Sequence, residues 1–202
     1  MPDRIVPDQA RSGIIFPRFL PIALIGLIVS SPCSAHGFSG SGWLHPLTGF
    51  DHMLAMLAVG AWSAQLGGNA IYFVPAAFVA AMAVGGALGF EQLVIPGTEA
   101  GIALSVLLLG VAICWERKLA MPFAALAVAL FGISHGYAHG YEMPVAQNKW
   151  SYAVGFLITT AGLHVAGVVG ALLLLETPTG SVLLRVAGAV TVVSGVAFLK
   201  AL

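Results

Sequence analysis

Six apolar stretches, each long enough to cross a lipid bilayer, follow the first 35 residues and limit the folds open to this chain. They lie at roughly 47–66, 70–90, 99–115, 119–140, 151–175 and 181–200, and a hydrocarbon core of ~30 Å requires about 20 helical residues. Polar or helix-breaking segments such as QLGGN, ERK and ETPTG separate them. Because lipid offers backbone groups no hydrogen-bond partner, such spans form helices. The sequence therefore predicts an all-α, polytopic membrane protein, folded as a bundle of six transmembrane helices.

The scarcity of charge excludes several classes of protein. Hydrophobic residues make up 59% of the chain and charged residues 8%, which leaves too little polar surface for a soluble domain. The formal net charge is zero and no basic run occurs, so nucleic acid is not a predicted partner. The sequence has no G-x-x-x-x-G-K-[ST] loop, and we predict neither a bound nucleotide nor an organic cofactor. The partner that the composition does predict is the lipid bilayer.

The first 35 residues have the features of an export signal. Three arginines precede a short apolar core, FLPIALIGLIVS, and the small residues CSA end just before His36. We therefore predict a signal peptide at 1–35, cleaved after Ala35, and a six-helix transmembrane transport domain at 36–202. An uncleaved anchor helix is the alternative that this pattern leaves open.

Export of the N-terminus would also fix the orientation of the bundle. Its mature N-terminus would lie on the periplasmic side of a bacterial inner membrane. Arg117, Lys118 and Arg185 then fall in or beside cytoplasmic loops, which agrees with the positive-inside rule. We accordingly predict a multi-pass inner-membrane protein.

The first of two polar clusters lies where the first predicted span begins. The stretch HPLTGFDH contains His45, Asp51 and His52. Adjacent helical residues point ~100° apart, so Asp51 and His52 do not face one centre equally. We expect one of them to bind a ligand while the other supports it, as a carboxylate does when it fixes an imidazole tautomer.

The second cluster, SHGYAHGYE, ends the fourth predicted span. His135 and His139 are four residues apart and Glu142 follows three later, so on a continuous helix all three share a face. In a bundle of alternating direction this end meets the start of the first span, so the two clusters predict halves of one site. Ionisable groups are costly in a membrane and usually face a cavity or a partner. Accessory or pathway positions are predicted at His36, Glu99 and His164.

Imidazole and carboxylate together suit divalent ions such as Ni²⁺, Co²⁺, Zn²⁺ and Fe²⁺, and the ligand types alone do not select among them. The function we favour is a permease that captures such an ion on the outer side and passes it inward. Two alternatives stay open. One is a membrane-embedded metalloenzyme that uses the same His/Glu metal site, and the other is a membrane-anchored metal chaperone or sensor.

At these motifs the sequence resembles the HupE/UreJ family of membrane proteins. HPLTGFDH is similar to the family's H-P-x-x-G-x-D-H, and SHGYAHGYE is similar to its H-G-x-A-H-G-x-E. The leader, the six-span layout and the PGTE segment with Glu99 also fit. The resemblance implies a nickel permease associated with hydrogenase and urease systems, and no enzyme. Ni²⁺ is then the transported substrate, with Co²⁺ or Zn²⁺ as alternatives and a homo-oligomer left open.

The predicted cleavage site gives His36 a role that can be tested. As residue one, its α-amine and imidazole could chelate a divalent ion together and deliver it to Asp51 and His52. We expect mass spectrometry to find the mature N-terminus at His36, and His36→Ala to lower Ni²⁺ uptake at limiting but not at saturating concentration. An intact leader, or wild-type uptake by His36→Ala throughout, would mean that His36 is simply a residue tolerated after the cleavage site.

Overall fold

The structure, a computed structural model, describes residues 41–116 and 119–202. This part of the chain contains helices and turns and no strand. Its seven helices are α1 (His45–Thr48), α2 (Phe50–Leu66), α3 (Ala70–Phe90), α4 (Thr98–Trp115), α5 (Met121–Tyr141), α6 (Lys149–Leu175) and α7 (Gly180–Ala201). The prediction of an all-α fold is confirmed. The predicted signal peptide, His36, Arg117 and Lys118 lie outside the described residues.

Five of the described helices, α3 to α7, are long and apolar enough to cross a membrane. Each lies within two residues of a predicted stretch at both ends. Their outward faces carry large apolar side chains, among them Phe73, Phe123 and Val165, which are more than half exposed. Lipid tails are as apolar as these side chains, so a bilayer covers such a surface at little cost. The chain is a multi-pass membrane protein.

The first predicted span, 47–66, differs from the structure at its start. Gly49 has an extended conformation, with φ −80° and ψ 110°, and it separates the short helix α1 from α2. Its N–H closes α1 on the carbonyl of His45, and its own carbonyl accepts from the N–H of Met53 to begin α2. Helix α2 has 17 residues, about 25 Å of length, and is not among the five candidate spans. The sixth crossing therefore stays a prediction.

Short connections make consecutive long helices antiparallel. As a result α2, α4 and α6 begin at the same end of the bundle, where α3 and α5 finish. We call this end the site end. It is the end at which both polar clusters of the sequence lie.

Glycines bring three helix pairs into backbone contact: α3 with α5, α2 with α6, and α4 with α7. In the α3–α5 pair, a Cβ atom at Gly85 would overlap the carbonyl oxygen of Ile133, and one at Gly136 would overlap that of Met82. Between α2 and α6, a Cβ at Gly60 would overlap the carbonyl oxygen of His164. Such close approach is how membrane helices gain packing energy without a hydrophobic drive between them.

We expect Gly85→Ala to destabilise the bundle because its methyl group must displace the backbone of α5. Overpacking of this kind costs about 1–3 kcal/mol, so the thermal unfolding midpoint in detergent should fall. Gly162→Ala is the matched control, since a Cβ there meets nothing within 4 Å. Equal midpoints for the two variants would contradict the close α3–α5 contact.

Candidate metal site

Four imidazole rings pack together at the site end. The His52 ring lies 4.8 Å from that of His135 and 4.6 Å from that of His139, and the His45 ring lies 4.7 Å from that of His139, measured between centroids. The rings meet edge to face, at interplanar angles of 68–80°. Residues from α1, α2 and α5 thus form one group, which we call the outer cluster.

Two parts of the fold bring the members of the outer cluster together. The break at Gly49 folds α1 over the start of α2 and brings His45 above the first turn that carries His52. His135 and His139 lie one turn apart near the end of α5 and are both fully buried. The shared face that their spacing predicts is therefore seen in the structure, where both rings contact His52.

Asp51 holds His52 in position. Its Oδ1 accepts hydrogen bonds from Nδ1 of His52 at 2.9 Å and from the backbone N–H of His52 at 2.8 Å. When the ring is neutral, a proton on Nδ1 leaves its lone pair on Nε2, which is buried and has no hydrogen-bond partner among the described residues. Asp51 thereby fixes the tautomer in which Nε2 can bind a metal ion.

Ser105 of α4 does the same for His135. Its hydroxyl oxygen lies 2.7 Å from the carbonyl oxygen of Ile102 and 2.8 Å from Nε2 of His135; when the hydroxyl donates to the carbonyl, its oxygen accepts from Nε2. The lone pair of His135 is then on Nδ1, which is buried and without a hydrogen-bond partner in the described part of the chain. The sequence did not indicate this role, because a lone Ser within an apolar helix resembles a packing residue.

Carboxylates and one small cavity form the outer border of the cluster. Glu142, just beyond the end of α5, lies 3.3 Å from Nε2 of His45. Together with Glu142 and His45, Glu99 in the first turn of α4 lines a cavity of about 20 Å³. A volume of this size holds about one water molecule. The other residues that line it are Thr48, Gly49, Asp51 and His52.

Aromatic residues support the cluster and were not predicted from the sequence. The ring of Phe156 stacks on His139, with centroids 5.2 Å apart and planes 5° apart. The hydroxyl of Tyr137 donates to the carbonyl of Leu93 and accepts from the N–H of Ile95, which ties the α3–α4 connection to α5. These contacts depend on residues that are distant in the chain, so no local sequence pattern predicts them.

One predicted pathway residue lies apart from the outer cluster. His164 of α6 is buried and contacts the ring of Phe78 at a centroid distance of 5.0 Å. Among the described residues it has no ring contact with another histidine. The structure therefore separates His164 from the six residues predicted as metal ligands.

The outer cluster is not a preformed coordination sphere. In residues 41–116 and 119–202, no three His, Cys, Asp or Glu side chains are arranged to hold one metal ion. The cluster does hold buried ring nitrogens that lack hydrogen-bond partners there, on His52, His135 and His139. Buried polar atoms normally have partners, so this donor set fits a ligand that imidazole can bind after modest ring rotations.

The fold and the site together define a multi-pass α-helical membrane protein with a buried histidine and carboxylate cluster. The family described as HupE / UreJ protein matches residues 23–198. Protein HupE of Rhizobium leguminosarum bv. viciae is 42% identical over 181 residues, which cover 87% of this chain and 94% of that protein. No solved structure gives a significant match. The chain belongs to the HupE/UreJ family.

Asp51→Asn should weaken metal binding without unfolding the protein. The neutral amide makes a poorer acceptor for Nδ1–H of His52, and loss of such a partner typically costs about 10–100-fold in metal affinity. Titration calorimetry with Ni²⁺ on the purified protein measures this change. Glu91→Gln is the control, because it removes an exposed carboxylate at the same end of the bundle. Equal affinities for both variants would exclude this role of Asp51.

Proposed function

We propose that this protein is a permease that carries Ni²⁺ inward across the bacterial inner membrane, for use by metalloenzymes of the hydrogenase and urease type. The ion is captured at the site end, which faces the periplasm, by His45, His52, His135 and His139 with nearby carboxylates. Ni²⁺ is the substrate and not a resident cofactor. Membership of the HupE/UreJ family, which is associated with nickel and cobalt uptake, supports this proposal.

The observation that carries the proposal is the set of buried ring nitrogens in the outer cluster, on His52, His135 and His139, that have no hydrogen-bond partner among the described residues. Asp51 and Ser105 accept hydrogen bonds from one ring nitrogen each of His52 and His135, which keeps the proton of a neutral ring there and leaves the other nitrogen able to bind a metal ion. Neutral imidazole is a good ligand for Ni²⁺, Co²⁺ and Zn²⁺. A structural role would need none of these lone pairs, and burying them without a ligand costs free energy.

The route of the ion begins at the small cavity. A hydrated cation meets Glu99 and Glu142 first, and their negative charge raises its local concentration. It then exchanges water for the imidazoles behind them. Binding must stay moderate, because an ion that permeates must also leave. The edge-to-face packing of the rings, in place of a rigid coordination sphere, agrees with that requirement.

A metalloenzyme is the rival function that the same residues could serve. It would need an open coordination position beside a substrate pocket and a positioned acid or base. The cavity at the outer cluster, about 20 Å³, is too small for an organic substrate. Size thus favours a bare or partly hydrated ion as the molecule that this site receives.

His139→Ala should abolish uptake, because His139 contacts both His45 and His52 and connects the two halves of the cluster. Uptake of radioactive Ni²⁺ into vesicles should fall by about tenfold or more, as expected for loss of a metal ligand. Ile133→Ala is the control, since it truncates an exposed apolar side chain on the same helix.

Immunoblots of the membrane fraction must show equal amounts of both variants. Normal uptake by His139→Ala would remove this histidine from the ligand set. A wild-type protein that binds Ni²⁺ but transports none into vesicles would instead favour a chaperone, sensor or enzyme.

A further inference from the structure

His164 is a buried histidine that the outer cluster does not use. It is 2% exposed, and neither of its ring nitrogens has a hydrogen-bond partner in the described part of the chain. One buried nitrogen without a partner already costs about 1–3 kcal/mol. A ring that served only to fill space would be replaced by leucine or phenylalanine at no such cost. The imidazole at this position therefore points to a ligand.

The depth of His164 follows from helix packing. Gly60 of α2 lies against the backbone of His164, since a Cβ there would overlap its carbonyl oxygen. Gly60 is eight residues beyond His52, which is about 12 Å along the helix. The backbone of His164 therefore lies about 12 Å deeper in the bundle than that of His52, measured from the site end.

The ring of Phe78 lies between the two levels. Its centroid is 5.5 Å from that of His135 and 5.0 Å from that of His164. On α3 it packs beside Gly132, which is three residues deeper in α5 than His135. Phe78 is fully buried. An apolar ring therefore contacts both imidazoles, one from each level.

A second polar atom accompanies His164. Thr160 is one turn nearer the site end on the same face of α6. It is fully buried, and its hydroxyl has no hydrogen-bond partner among the described residues. Buried hydroxyl groups in helices commonly donate to the backbone, so an unpaired one is unusual. Together the two side chains offer ring nitrogens and a hydroxyl oxygen one helical turn apart.

We propose that His164 and Thr160 form an inner binding station for a partly hydrated divalent metal ion, separated from the outer cluster by the ring of Phe78. This inference rests on the proposed function and adds a second site to it. Imidazole selects borderline transition metals over Mg²⁺ or Ca²⁺. A single imidazole and a hydroxyl bind such an ion more weakly than four imidazoles do, so the station receives the ion and releases it.

The experiment measures radioactive Ni²⁺ uptake by proteoliposomes over a range of concentrations. It yields a half-saturating concentration, which reports capture, and a maximal rate, which reports passage. The variants are His164→Leu, His164→Gln and the nearly isosteric Thr160→Val. Val165→Leu is the matched control, because it changes the neighbouring residue on the exposed face of α6. Size-exclusion chromatography checks that each variant is folded.

We expect His164→Leu and His164→Gln to lower the maximal rate by about tenfold or more, with half-saturation changed by less than about twofold, because capture is intact and passage is not. Thr160→Val should lower the maximal rate in the same direction. Where His164→Leu aggregates, His164→Gln decides, since it keeps a polar group of similar size. Wild-type rates from the folded His164 variants would overturn the inner station.

The outcomes also distinguish the two proposals. Wild-type proteoliposomes that take up no Ni²⁺ would end the proposed function itself, whatever His164 does. If His164→Leu leaves uptake at the wild-type level, only the inner station is excluded.

The proposed separating role of Phe78 is tested by a different measurement. Phe78→Ala should raise the ratio of Mg²⁺ to Ni²⁺ permeation by about fivefold, because hydrated ions no longer need to exchange water for imidazole. An unchanged ratio would exclude that role.

Discussion

Backbone contact between α3 and α5 determines where His135 and His139 point. Gly132, Gly136 and Gly140 form one face of α5, and a Cβ atom on any of them would meet the backbone of α3. His135 and His139 each precede one of these glycines by a single residue, so they point ~100° away from the α3 contact. That direction leads to α2, where His52 lies. The glycines of the motif HGYAHGYE are therefore as necessary for the site as its histidines.

Much of this arrangement could be predicted from the sequence. The parts that could not be predicted have one physical cause in common. Apolar length predicts α3 to α7, and the i, i+4 spacing predicts that His135 and His139 face one partner. The break at Gly49 was not predicted, because an apolar span remains favourable with or without a hinge near its end. Ser105 and Phe78 were missed as well. Their roles come from lateral neighbours in other helices, which hydrophobic periodicity does not encode.

The proton on each ring decides what the outer cluster can bind. A neutral imidazole has one donor and one acceptor, and a partner on one nitrogen determines the character of the other. Asp51 and Ser105 each contact one ring nitrogen, of His52 and His135 respectively, so the other nitrogen of each neutral ring is a buried acceptor. Buried acceptors without a donor cost free energy, a conflict that hydrogen bonding between two acceptors cannot relieve. A cation between them resolves this conflict, which is why the donor set favours a metal ion over a neutral ligand.

The outer cluster offers more ligands than the inner binding station, so affinity for the ion decreases along the proposed route. Carboxylates and four imidazoles lie at the site end, whereas one imidazole and one hydroxyl lie deeper in the bundle. An ion gains most of its binding free energy on the outside, where its concentration is low. It then moves to weaker ligands, from which it dissociates readily. The membrane potential can drive the proposed inward movement. A potential negative inside favours inward movement of a divalent cation by about 4.6 kcal/mol per 100 mV, twice the value for a single charge. Weak ligands deep in the bundle are then sufficient for the proposed route. The membrane potential and the enzymes that use the ion would maintain its inward movement, which the binding sites alone could not.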